Sequence, residues 1–90
     1  MQVFKNMSDV IQANIAHGFY FFNKDTMKHF GSKVESPLMK GRYFVTSETL
    51  GCKEGKRNFA LRQVQEDYRI KTVDRFDSLE AATEAVENLS

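Results

Sequence analysis

The chain has no tryptophan, a single proline and a single cysteine among its 90 residues. One thiol, Cys52, cannot close a disulfide within the chain, which is the pattern of a reducing cytosol rather than of a secreted, cross-linked scaffold. No apolar run reaches membrane-spanning length, and Met1 to Gly18 mixes polar and apolar residues throughout, so neither a membrane span nor a signal peptide is expected. The five glycines fall into neither a phosphate-binding loop nor a dinucleotide fingerprint. An excess of one charge is also lacking. Thirteen Lys and Arg against twelve Asp and Glu leave a net charge of +1, so any case for a polyanionic partner has to rest on local clustering.

What is present suits one domain spanning residues 1–90, because 41% hydrophobic and 28% charged residues are ordinary for a globular chain. A domain this short buries roughly 60 to 65% of the surface its unfolded form exposes. Its core is therefore small, and no enclosed cofactor site is expected.

Met7, Val10, Ile11 and Ile15 recur at helical spacing, with Asn6 as the cap, Asp9 in the first turn and Gly18 just beyond, which predicts a helix over 7–17. Phe19 to Phe22 follow without alternation and bridge to a second helix over 24–30, capped by Asn23 and closed by Gly31, with Met27 and Phe30 inward. Pro37 then sits in a Ser/Pro/Lys/Gly connector that breaks helical structure. From Gly41 the period changes to two. Strands are expected over 41–48, 57–65 and 68–74, the first two joined through a Gly51/Gly55 loop in an antiparallel meander. Asp77 opens a last helix with Glu80 as its capping-box partner and Leu79, Ala82, Val86 and Leu89 as its apolar stripe. The expected fold is α+β, ordered ααβββα, with the helices covering one face of a three-stranded sheet.

Alternation assigns Tyr43, Val45, Phe59, Leu61, Tyr68 and Ile70 to the core face of that sheet. It puts Arg42, Phe44, Thr46, Arg62, Val64, Arg69, Lys71 and Val73 on the other, where four cations surround one aromatic ring. Arg42, Phe44, Arg62, Arg69 and Lys71 are therefore the candidate partner-binding set, with Phe44 as its anchor. Such a set suits a protein interface, a phosphate backbone with a stacked base, or simply a solvated face, and Glu48, Glu66 and Asp67 dilute its field. The last helix has the reverse character, with Glu80, Glu84 and Glu87 in one stripe near Asp74 and Asp77, as on the soluble side of an amphipathic helix. Catalysis finds little footing. Cys52 lies in a Gly-rich loop, His17 and His29 lie on the first two helices, nothing in the sequence brings them together, and no Cys/His pair stands at metal-ligand spacing. The chain is expected not to be an enzyme and to hold no metal.

The run Phe21-Phe22-x-x-x-Thr26-Met27-x-x-Phe30-Gly31-Ser32-Lys33-Val34, followed by Gly41-x-Tyr43-Phe44-Val45-Thr46-Ser47-Glu48, resembles a family of small uncharacterised proteins encoded by bacteriophages and prophages. The resemblance covers about residues 8–89 and extends through Arg57–Arg62 and the helix that follows Phe76. It carries no functional residue across; it implies an origin and a manner of action. Small phage accessory proteins often inhibit host defence or host enzymes by binding them, so the resemblance implies a cytoplasmic inhibitor of a bacterial host protein, foremost an immune effector such as a CRISPR component. Three strands followed by a Phe-x-Ser-x-x-x-Ala helix are also similar to the arm-type DNA-binding domains of phage integrases, which apply their sheet to DNA. That similarity implies the alternative, a nucleic-acid-binding protein using Arg42, Arg62, Arg69 and Lys71.

Overall fold

A computed structural model describes residues 4–49 and 56–89. The first helix, α1 (Met7–Ala16), begins where Asn6 Oδ1 accepts a hydrogen bond from the Asp9 amide at 3.1 Å, while Asp9 Oδ2 reaches back to the Lys5 amide at 3.0 Å. Two amide donors at the start of the helix are satisfied in this way. The second, α2 (Lys24–Phe30), is capped by Asn23 and ends at Gly31, whose φ of 61° lies in the left-handed region. The last, α3 (Leu79–Glu87), is capped one residue later than expected: Ser78, not Asp77, accepts from the Ala81 amide. The side chain three places beyond this cap is alanine, so the box with Glu80 does not form.

The sheet has four strands rather than three. They are β1 (Lys33–Lys40), β2 (Tyr43–Glu48), β3 (Asn58–Val64) and β4 (Ile70–Phe76), antiparallel and adjacent in chain order. The additional strand, β1, contains Pro37 and was expected to be a connector. It is an edge strand, and its register on β2 jumps from Glu35↔Val45 to Met39↔Phe44, so the proline falls in a bulge where no ladder donor is required. Its hairpin with β2 is a two-residue turn with Gly41 at φ 62° in the first position, the arrangement of a type II′ turn. Residues 50–55 of the β2–β3 connection, with Gly51, Cys52 and Gly55, lie outside the described residues.

Both faces of this sheet are covered, which corrects the single helical layer. Tyr43, Val45, Phe59 and Leu61 pack with Ala82 and Val86 of α3, as alternation requires. On the opposite face Phe44 and Val64 join Phe4, Phe22 and the α1 residues Met7, Val10 and Ala13. Tyr68 and Ile70, expected with Leu61, belong to this second cluster. The cause is a bulge: β4 pairs Asp74 with Leu61 but Thr72 with Arg62, and the intervening Val73 reverses the alternation. Tyr68 also precedes the strand. It occupies the β3–β4 turn at φ 70°, a conformation costly for a side-chain-bearing residue, with its ring stacked on His17 at 4.0 Å and its carbonyl accepting from Asn14 Nδ2 at 2.9 Å. Among the described residues no helix is long and apolar enough to cross a membrane.

Gly31 joins α2 to β1 under a double constraint. Besides its positive φ, a Cβ there would stand 1.9 Å from Thr49 Oγ1. Gly18 shares the positive φ, at 84°, but would meet nothing within 4 Å. Gly31→Ala should therefore lower unfolding stability by about 2 kcal/mol or more, and Gly18→Ala by only about 1 kcal/mol. Urea denaturation of the two variants checks this; equal losses would remove the steric part of the argument.

Candidate functional site

The structure disperses the five residues of the expected patch. Phe44 is fully buried, with its ring against Phe21 and Phe22 at centroid distances of 6.3 and 5.9 Å. It is a core residue and cannot anchor a partner on this fold. Alternation placed it correctly opposite Val45; the error was to leave that face to solvent, when α1 and the Phe19–Phe22 segment cover it. Arg42 lies in the β1–β2 turn, where Nε donates to the Val64 carbonyl at 2.9 Å, Nη2 donates to the Gln65 carbonyl at 2.6 Å, and the guanidinium lies 5.1 Å from the Phe4 ring centre. It clamps the end of β3. Arg69, in the next turn, is exposed, 3.4 Å from Asp67 and 5.8 Å from the Phe19 ring centre. Lys71 pairs with Gln63 and so points to the α3 side of the β4 edge, away from Arg62.

Arg62 has the most developed environment. It pairs with Phe44 across β2–β3 and is largely buried. Its Nε donates to Thr46 Oγ1 at 3.1 Å, its Nη1 donates to Thr72 Oγ1, and its guanidinium sits 5.3 Å from the Phe21 ring centre. The Nη2 nitrogen stands 3.9 Å from Glu48 Oε1, an ion-pair distance too long for a hydrogen bond, and the same carboxylate oxygen is held at 2.6 Å by Arg75 Nη1. Burial lowers the Arg62 pKa from its ordinary value; Glu48 opposes that shift and the neighbouring Arg75 cation adds to it.

These groups floor a cavity of about 290 Å³. Phe21 and Phe30 wall it, and Thr26 and Ser32 border it. It exists because the sheet face beneath α1 and α2 is chemically divided. Phe44, Val64 and Ile70 lie under α1 and are filled in, whereas Arg62, Glu48 and Arg75 lie toward α2, a helix of 7 residues with no buried side chain. Arg62 was singled out from the sequence; Arg75, Phe21 and Phe30 were not. Their signal was faint, since Arg75 lies just beyond the expected strand end at 74, although it continues the alternation of Arg69, Lys71 and Val73, and the aromatic run lacks a period that assigns faces.

A second feature lies on the outside of the same helical layer. Tyr20 leaves 74% of its surface exposed between the covered Phe19 and Phe21, and Ile15, one helical turn before Gly18, is 54% exposed. On the far side of the sheet, Glu80, Glu84 and Glu87 line an open groove with Leu79, which is itself exposed rather than part of the apolar stripe.

Comparison with known proteins adds a family without a function. The model of a family of unknown function, DUF7447, matches residues 5–90, and the chain belongs to that family. No curated protein and no solved structure matches it.

The burial of Phe44 has a measurable consequence. Phe44→Ala should cost about 3–5 kcal/mol of unfolding stability through lost burial and a residual cavity. Arg69→Ala and Lys71→Ala, both at exposed positions, should stay within about 0.5 kcal/mol of the parent. Urea midpoints for the three variants test this, and a Phe44→Ala protein as stable as the parent would refute the core assignment.

Proposed function

We propose that this DUF7447 member acts by binding a bacterial host protein, as a small phage or mobile-element accessory protein that inhibits a component of host defence such as a CRISPR effector. The observation that carries the binding reading is Tyr20. A large aromatic side chain exposed over 74% of its surface, close in sequence to the half-exposed Ile15 and beside Phe19 with its Arg69 neighbour, matches the composition of interface hot spots. Nothing in the internal packing requires that exposure, because Phe21 and Phe22 already fill the positions beneath α1 and α2. The class of target rests on the sequence resemblance. The alternative, nucleic acid bound along a basic sheet face, loses its original footing, since Arg42 and Arg62 are tied to internal acceptors and Lys71 points to the other side.

Affinity capture from a bacterial lysate tests the reading, with wild type compared with Tyr20→Ala and Ile15→Ser. The expected outcome is a protein partner retained after nuclease treatment and lost by about tenfold or more in Tyr20→Ala, a hot-spot-sized effect. Circular dichroism should be unchanged in both variants. Retention that disappears with nuclease, or that Tyr20→Ala leaves intact, would overturn the proposal.

A further inference from the structure

The cavity between α2 and the sheet brings a donor set and an acceptor into one aromatic enclosure. Arg62 is committed on two of its three nitrogens, to Thr46 and Thr72, and this fixes the plane of its guanidinium. Its third nitrogen and the Glu48 carboxylate lie side by side, 3.9 Å apart, with side-chain exposures of 10% and 14%. Arg75 lies further out, with 56% of its side chain exposed, and reaches Glu48 from the mouth. Among the described residues two cations share one carboxylate here, so this part of the lining carries more positive than negative charge. A salt bridge that served stability alone would gain little from this arrangement, because burial already penalises the Arg62 charge.

We propose that this cavity binds a nucleobase carrying a phosphate, as in a nucleoside monophosphate. A planar base edge presents acceptors and N–H donors next to each other, which is the complement of the Arg62 nitrogen beside the Glu48 oxygen. The aromatic rings Phe21 and Phe30 offer apolar surface to the faces of the base. Arg75, at the mouth, is positioned for the phosphate, and Thr26 and Ser32 add hydroxyls along the rim. The volume of about 290 Å³ stands at the small end of ligand sites, which suits a single base. Tyr20 does not line the cavity, although its neighbour Phe21 does, and the site does not depend on the protein-binding role of Tyr20.

Titration calorimetry of the full chain with the four ribonucleoside monophosphates, ribose 5-phosphate, inorganic phosphate and short single-stranded oligonucleotides tests the site. Phe30→Ala and Arg75→Gln change partly exposed side chains, and circular dichroism verifies their folding. At least one nucleoside monophosphate should bind at millimolar concentration or better, with ribose 5-phosphate weaker by about tenfold or more. Phe30→Ala should weaken binding by about five- to a hundredfold, the range of a lost stacking contact. Arg75→Gln should weaken the monophosphate by a larger factor than the corresponding nucleoside, because it removes the phosphate contact as well as the hold on Glu48. Tyr20→Ala should bind nucleotide like wild type, which separates this site from the protein interface. If the base is supplied by a strand, the oligonucleotides bind more tightly than the monophosphate and lose the same factor in Phe30→Ala. Absence of binding by every nucleotide, equal binding of inorganic phosphate, or indifference to Phe30→Ala overturns the proposal.

Discussion

Phe44 and Val45 are consecutive residues in a central strand, they point to opposite faces of the sheet, and neither has any exposed surface. This imposes a three-layer arrangement. A strand with large apolar side chains on both sides must be covered on both sides, and here α3 covers Val45 while α1 and the Phe19–Phe22 segment cover Phe44. The remaining strands follow from that need. The outer strands β1 and β4 extend the platform on which the two helical layers rest, and each carries a bulge that adjusts which residues face which layer.

The cost of this arrangement appears at Arg62. It is paired with Phe44 in the register, so its side chain enters the layer between sheet and helices, where a cation is expensive. Four neighbours make it tolerable: two threonine hydroxyls that accept from it, a carboxylate opposite Nη2, and the Phe21 ring against the guanidinium. An apolar residue of similar volume would avoid the desolvation altogether. The retained charge, together with the incomplete cover provided by the short α2, gives the molecule its polar, aromatic-walled cavity.

The two surfaces with functional potential therefore have different physical origins. The cavity is a consequence of layering, an interior cation left beneath a helix too short to seal it. The Tyr20 surface comes from the tight connection between α1 and α2, where Gly18 at positive φ turns the chain and, of the four successive aromatics Phe19 to Phe22, Tyr20 alone is left exposed. A protein partner at the second and a small ligand at the first are compatible with one another.

Much of the architecture was legible in the amino-acid sequence because it is encoded in local patterns. Capping chemistry marked Asn6, Asn23 and Gly31, and α1 and α2 form where those residues stand. Alternation set Phe44 and Arg62 on one face and Tyr43, Val45, Phe59 and Leu61 on the other, as the β2–β3 register requires. Local patterns do not say which face is covered. A sheet face bearing Arg62, Thr46 and Phe44 reads as polar with one stray aromatic until α1 is laid on it, and only then is the arginine interior and the phenylalanine core. The same limit hid β1, because a proline reads as a strand breaker unless the strand is known to lie at an edge with a bulge. It hid the inversion at Val73 as well, since an extra residue in a strand leaves no trace in composition and is decided by pairing with a distant segment. The cavity joins residues from 21 to 75, so it belongs wholly to the tertiary structure: helix starts and strand faces are short-range properties of the chain, whereas coverage, register and enclosure are properties of segments that meet only on folding.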